Sequence, residues 1–124
     1  MKKALLIEDD ELTQRTIKKI FSDEFAVDVC DSAEYFYQHY ITNAYDIIIM
    51  DISINGDKHG LDLTKELKQH PNFSQIPILC LTAHAFPKDR SLAMEAGVDM
   101  FLVKPVKKNL LKEAVSSLIN GQTK

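Results

Sequence analysis

Short apolar segments recur along the whole chain and alternate with segments of helical periodicity. Five apolar segments have the length of a buried β-strand, and they cover residues 4–7, 26–30, 47–50, 78–82 and 99–103. After each of them, apolar residues are spaced three or four positions apart, as on one face of an α-helix. The pattern therefore predicts five β-strands and five α-helices in strict alternation.

Local signals indicate where several of the helices begin and end. Asp31 and Ser32 are suited to cap the second helix. Pro87 suits the first turn of the fourth helix, and Gly97 suits its C-terminal end. The first and last helices have the clearest apolar positions, which are Leu12, Thr16, Ile17, Ile20 and Phe21 in the first and Leu110, Leu111, Ala114, Val115, Leu118 and Ile119 in the last.

The alternation of strands and helices predicts a parallel sheet with helices on both faces. The nearly continuous apolar character of most strands agrees with burial on both sides of the sheet. Because crossovers are right-handed, helices reach both faces only if the winding of the chain reverses once. In such a doubly wound α/β domain the ligand crevice lies beyond the carboxyl ends of the strands, at the reversal. The residues that end or follow each strand are therefore the candidates for a functional site.

Charged and hydroxyl side chains stand at the ends of four of the five predicted strands. They are Glu8, Asp9 and Asp10 after the first strand, Asp51 after the third, Thr82 at the end of the fourth and Lys104 after the fifth. Carboxylates that share one site repel each other unless one takes a proton or a cation binds between them. Mg²⁺ prefers oxygen ligands and is commonly held by one or two carboxylates. With such a cation bound, an ionised Asp51 is a usable nucleophile, because aspartates can form aspartyl-phosphates.

Four short motifs at the ends of the first, third, fourth and fifth predicted strands carry a resemblance to a known family. The motifs are LLIEDDE, IIIMDIS, ILCLTA and FLVKP. Each is weak alone, but in this order and spacing they resemble the receiver domain of two-component response regulators, over essentially the whole chain. The resemblance implies one flavodoxin-like (βα)₅ receiver domain over residues 1–124, with strand order 2-1-3-4-5 and no effector domain in this chain.

The resemblance also implies a role for each acid of the predicted site. Glu8 and Asp9 are similar to the acidic pair of the family, in which Asp9 is a direct ligand of Mg²⁺ (or Mn²⁺) and Glu8 acts through a water molecule. Asp51 resembles the phosphoacceptor and a further metal ligand. The backbone carbonyl of Ser53 stands where the third protein ligand of the metal is expected.

Three residues at or near the ends of the fourth and fifth strands resemble family residues that respond to the phosphate. Thr82 is similar to the hydroxyl that turns toward the phosphate, and Lys104 to the lysine that pairs with a phosphate oxygen. Phe101 occupies the aromatic switch position, where the lack of a tyrosine hydroxyl leaves only packing to drive a change. The Lys104–Pro105 bond matches one that is usually cis in the family.

The loop after Asp51 departs from the family pattern. Members commonly have a short loop with a proline there, whereas this chain reads ISINGDKHG, without proline and with one extra residue before Gly60. We therefore expect an altered loop over residues 54–60. In one interpretation His84 and the side chain of Ser53 tune how fast water attacks a phosphoaspartate; in the other, His84 is a solvated surface histidine.

The implied partners are a histidine kinase or a histidine phosphotransfer protein as donor, and an unknown downstream partner. The face around the fourth helix, fifth strand and fifth helix carries output and dimer contacts in the family, which makes a homodimer through it one expectation. The residues that border this face serve equally well as interior packing, and they are Ser91, Ala93, Met94, Val98, Val106 and Leu111. The chain would assist only its own phosphorylation and dephosphorylation, so we do not expect an enzyme.

Composition and charge exclude several other classes. Hydrophobic residues make up 45% and charged residues 27% of the 124, as in ordinary globular proteins. The net charge of −3 argues against direct binding of nucleic acid. No apolar run is long enough for a membrane span, and the N-terminus is too poor in apolar residues for a signal peptide. Cys30 and Cys80 lack metal-site spacing, which favours buried, reduced thiols in the cytoplasm.

Several rival interpretations remain open at this point. Asp10 and Glu11 are favoured as helix N-terminal acids rather than ligands. A phosphate-independent pseudo-receiver would typically lack one of the acids or the lysine, and none is missing. An aspartyl-phosphate phosphatase would place a second acid two residues after the nucleophile, where this chain has Ser53. A flavodoxin-like cofactor binder would need a phosphate loop after the first strand, where this chain reads EDDELTQ.

Overall fold

A computed structural model describes residues 1–52, 60–83 and 86–121, and five strands alternate with five helices in it. The strands are β1 (Lys2–Ile7), β2 (Phe25–Cys30), β3 (Ile47–Met50), β4 (Ile78–Thr82) and β5 (Met100–Val103). The helices are α1 (Glu11–Phe21), α2 (Ala33–His39), α3 (Gly60–Gln69), α4 (Pro87–Ala96) and α5 (Lys108–Ile119). The predicted (βα)₅ order is confirmed.

All strand pairs are parallel, and the sheet has the order β2-β1-β3-β4-β5. The order places β1 and β3 side by side, so the winding reverses at this pair as a doubly wound sheet requires. Ile7 is in register with Met50, and Thr82 is in register with Val103. The residues that follow β1 and β3 are therefore neighbours, and so are the ends of β4 and β5.

Two apolar layers enclose the sheet. The layer under α2, α3 and α4 includes Leu5, Ile7, Phe36, Leu63, Leu67, Phe73 and Phe101. The layer under α1 and α5 includes Leu6, Ile17, Phe21, Leu79, Leu111, Val115 and Leu118. Successive residues of β1 belong to opposite layers because side chains alternate along a strand. Burial on both faces explains why β3 and β4 are almost entirely apolar.

The helix termini follow the capping signals of the sequence. The Asp10 carboxylate accepts a hydrogen bond from the Thr13 amide at 2.8 Å and caps α1, and Ser32 caps α2 through the Tyr35 amide at 3.2 Å. Pro87 is the first residue of α4, and Gly97 ends that helix with φ of 112°. The interpretation of Asp10 as a helix N-terminal acid is confirmed.

The apolar faces of two helices differ in part from the prediction. Leu12 is 71% exposed and Leu110 is 50% exposed, although both belong to the predicted apolar positions. Leu12 stands in the first turn of α1, where it borders a groove lined by Pro105 and Val106 instead of facing the sheet. Within the described ranges, no helix has both the length and the apolar character needed to cross a membrane.

Candidate functional site

Backbone hydrogen bonds fix the residues at the carboxyl edge of the sheet. The Asp51 amide donates to the Ile7 carbonyl at 2.9 Å, and the Glu8 amide donates to the Cys30 carbonyl at 2.9 Å. The Lys104 amide donates to the Thr82 carbonyl at 2.8 Å. Each bond extends the parallel ladder of the sheet by one residue. The side chains of the site are therefore held rigidly at the ends of the strands, even though they belong to different strands.

Three carboxylates converge at this edge. Glu8, Asp9 and Asp51 each offer an oxygen atom, and the three oxygens lie within 4.8 Å of one another. Glu8 is only 1% exposed and Asp51 is 6% exposed, whereas Asp9 is partly open to solvent. A buried group of this kind needs a compensating positive charge. Because the side-chain donors of the cluster are all oxygens, the set fits a hard cation such as Mg²⁺.

The Lys104 ammonium bridges two of these acids. Its Nζ lies 2.6 Å from Oε1 of Glu8 and 3.2 Å from Oδ2 of Asp51. Burial raises the pKa of Glu8 to about 7; the bond from Lys104 opposes this shift, and Asp51 reinforces it. Partial burial disfavours the Lys104 ammonium, but its contacts with Glu8 and the charge of Asp51 still raise its pKa. Lys104 therefore stays protonated and partly compensates the acids.

Thr82 and Phe101 lie on the neighbouring strands. Thr82 is fully buried at the last position of β4, and Phe101 is buried in the layer under α2, α3 and α4. The guanidinium carbon of Arg90 in α4 stands 5.8 Å from the centre of the Phe101 ring. The Lys104–Pro105 peptide bond is cis, as the family resemblance implies.

Two predicted residues of the site, Ser53 and His84, lie outside the described residues, as does most of the altered loop. Its last residue, Gly60, is described and packs against the chain directly after Asp51. A Cβ atom on Gly60 would stand 2.6 Å from Cα of Ile52 and 2.7 Å from the carbonyl oxygen of Asp51. The start of α3 therefore touches the backbone that carries Asp51.

No sequence pattern singles out Gln14, yet its side chain contacts the site. Its Nε2 donates to the backbone carbonyl oxygen of Glu8 at 2.5 Å. The amide of Asp10 also donates to Oε2 of Glu8, at 3.2 Å. A polar residue in the first turns of a helix is usually predicted to be exposed to solvent. The contact of Gln14 is therefore identified only from the structure.

Known proteins similar to this chain include regulators and kinases. The aerobic respiration control protein ArcA of Escherichia coli (strain K12) is 36% identical over 103 residues, which are 82% of this chain and 41% of that protein. Hybrid signal transduction histidine kinase I of Dictyostelium discoideum is 30% identical over 94% of this chain and 7% of its own length. The chain thus spans less than half the length of these curated relatives.

Solved structures and a family model agree with these relatives. The receiver domain of a sensor histidine kinase from Pseudomonas aeruginosa PAO1, with a magnesium ion coordinated in its active-site cleft, superimposes with a TM-score of 0.87 at 27% identity and covers 96% of this chain and 98% of that chain. The family model described as the response regulator receiver domain matches residues 4–116. The chain therefore belongs to the receiver domains of two-component response regulators, signalling domains that depend on phosphorylation and interact with histidine kinases.

Proposed function

We propose that this domain is a phosphorylation-activated switch in which Asp51 accepts a phosphoryl group from a histidine kinase or a histidine phosphotransfer protein. One observation carries the proposal: the Lys104 ammonium contacts both Glu8 and Asp51, at 2.6 and 3.2 Å, beside an oxygen cluster of three acids. This arrangement brings together a carboxylate nucleophile, the positive charge of Lys104 and oxygens that could hold a metal. Phosphoryl transfer requires these groups at one point.

A divalent cation completes this proposal, and the donor set of the chain fits it. Asp9 and Asp51 would hold Mg²⁺, or Mn²⁺ in its place, with Glu8 acting through water and the Ser53 carbonyl as a further ligand. When bound, the cation would neutralise negative charge on the acids and on the phosphoryl oxygens. The magnesium ion in the Pseudomonas aeruginosa receiver domain supports this assignment.

Separate residues of the chain carry out the steps of the proposed phosphoryl transfer. A carboxylate oxygen of Asp51 attacks phosphorus; the new O–P bond forms as the N–P bond of the donor phosphohistidine breaks, and the electron pair leaves with the imidazole. Lys104 already stands 3.2 Å from Oδ2 of Asp51 and would pair with a phosphoryl oxygen. The Thr82 hydroxyl would donate to another oxygen, and Phe101 would repack in response.

The output surface in this proposal is the face of α4, β5 and α5. These elements carry exposed large apolar side chains, namely Leu92, Met94, Val103 and Leu110. A homodimer or an unidentified downstream partner would cover them after phosphorylation. Sedimentation velocity before and after phosphorylation measures whether this chain self-associates through that face.

The phosphoacceptor is tested with the parent chain and Asp51→Asn, each incubated with an acyl phosphate and Mg²⁺ and then measured by intact mass. We expect one phosphoryl adduct on the parent and none on Asp51→Asn, because the amide cannot act as the nucleophile. Equal labelling of both would assign the acceptor elsewhere. An unlabelled parent that retains its fold would instead favour a phosphate-independent pseudo-receiver, and turnover of a generic phosphate monoester would favour a phosphatase.

A further inference from the structure

We propose that Gln14 is a positioning residue for the metal site, and that its amide sets the orientation of the peptide between Glu8 and Asp9. The inference rests on the proposed function, because it concerns the same cation. Gln14 contacts a backbone carbonyl and is not itself one of the three clustered acids.

The hydrogen bonds around the β1–α1 turn support this role. The Glu8 carbonyl, which receives the 2.5 Å bond from Nε2 of Gln14, belongs to the peptide that joins Glu8 to Asp9. Rotation of this peptide would move both side chains relative to Asp51. The other side of Glu8 is already fixed, because its amide donates to the Cys30 carbonyl at 2.9 Å. Gln14 therefore fixes the carbonyl side of Glu8, where the peptide to Asp9 begins.

The backbone of Gln14 is held in place at the start of α1. Its backbone amide donates to the Asp10 carbonyl at 3.0 Å, as the first hydrogen bond of α1, and Asp10 caps the same helix. The side chain is half-buried between α1 and the turn. The turn with Glu8 and Asp9 is consequently held between a strand and a capped helix.

The chemistry of the amide suits this place. A carboxamide N–H donates to a carbonyl without adding charge. An ionised glutamate here would have no hydrogen to donate to the Glu8 carbonyl. Groups that orient metal ligands from outside the coordination sphere usually change metal affinity about 10- to 100-fold when they are removed.

Gln14→Met removes the donor while it keeps the length of the side chain and a good helix former. Thr16→Val is the matched control, because it removes a comparable side-chain donor in the same helix: Thr16 Oγ1 donates to the Leu12 carbonyl at 2.8 Å and does not contact the Glu8–Asp9 peptide. We measure Mg²⁺ affinity from amide chemical shifts in ¹⁵N-labelled protein without phosphodonor. We expect the affinity of Gln14→Met to fall about 10-fold and that of Thr16→Val to stay within two-fold of the parent.

A second readout separates positioning from a general loss of stability. The rate of labelling by an acyl phosphate is followed against Mg²⁺ concentration. We expect Gln14→Met to need about 10-fold more Mg²⁺ for half-maximal rate and to reach the same plateau. Gln14→Ala is made in parallel and should give the same result, because it also lacks the donor. It keeps the inference testable if Gln14→Met does not fold.

An unchanged Mg²⁺ affinity in both folded Gln14 variants would overturn the inference, and so would a lower plateau with an unchanged half-saturation point. These results differ from a failure of the proposed function. In that case the parent itself would show no Mg²⁺-dependent shifts at Glu8, Asp9 and Asp51, and no phosphoryl adduct.

Discussion

At the scale of single residues, a proton, the Lys104 ammonium and the metal of our proposal compete for the same carboxylates. Glu8 is almost fully buried, contacts Lys104 and lies near Asp51. Its raised pKa follows from that burial and from the second acid beside it. Glu8 is therefore only partly ionised near neutral pH.

Mg²⁺ affinity should consequently depend on pH through Glu8. Below its pKa of about 7 the Glu8 carboxyl is neutral and attracts the cation less, so affinity is weak in acid and rises as the pH increases. One such proton gives an increase of about ten-fold between pH 6 and pH 8. Chemical-shift titrations at pH 6, 7 and 8 measure it, with Glu8→Gln as the variant expected to lose this dependence. A parent affinity that is flat across this range would contradict the prediction.

At the scale of elements, the strands were more predictable than the details of the helices. The segment of β4 is predicted to the residue because Pro77 precedes its apolar run and polar character returns after Thr82. The end of α2 is less well marked, since Tyr40 is equally suited to the helix and to the turn that follows it.

The strand-end residues of the site could be predicted for a geometric reason. Parallel strands end at one edge of a sheet, so acids after β1 and β3 meet whenever those strands are neighbours. The contact of Gln14 could not be predicted, because it depends on how α1 packs against the end of β1. The exposure of Leu12 has a similar origin, since spacing alone does not show what faces the first turn of a helix.

The junction between Asp51 and α3 leads to a prediction about Gly60. Alanine is the better helix former by about 1 kcal/mol inside a helix, but at Gly60, the first residue of α3, it would contribute less than this gain. However, its Cβ would stand 2.6 Å from Cα of Ile52 and 2.7 Å from the Asp51 carbonyl oxygen, and backbone atoms cannot move aside easily. We expect Gly60→Ala to lower the free energy of unfolding by about 1–2 kcal/mol in urea titrations.

Lys65→Ala serves as the control for this experiment, because Lys65 is exposed in the same helix. Its effect should stay within about 0.5 kcal/mol of the parent. A Gly60→Ala chain as stable as the parent would mean that the backbone after Asp51 is looser than the close contact indicates.

At the scale of the whole molecule, the fold gathers the oxygens that would hold the metal in our proposal from distant parts of the chain. Glu8 and Asp9 follow the first strand, and Asp51 lies more than forty positions later. The unfolded chain cannot present this cluster, so a cation that binds it binds the folded state alone. Metal binding and folding stability are therefore linked.

Mg²⁺ should raise the melting temperature of the parent. At a concentration ten times its dissociation constant, the gain is about 1.4 kcal/mol, which corresponds to roughly 5 °C for a domain of this size. Thermal unfolding followed by circular dichroism, with and without a chelator, measures the change. Asp9→Asn and a sodium chloride solution of equal ionic strength are the controls, and an equal increase in either would show that the effect does not arise at this site.

The close approach of Gly60 to Ile52 has one more consequence. The chain leaves β3 and returns to begin α3 at nearly the same point, so the two ends of the segment between Ile52 and Gly60 are held together whatever its length. Loops closed in this way tolerate insertions with only a small entropic penalty. Residues 53–59 can thus change in length and sequence while Asp51, the nucleophile in our proposal, keeps its place.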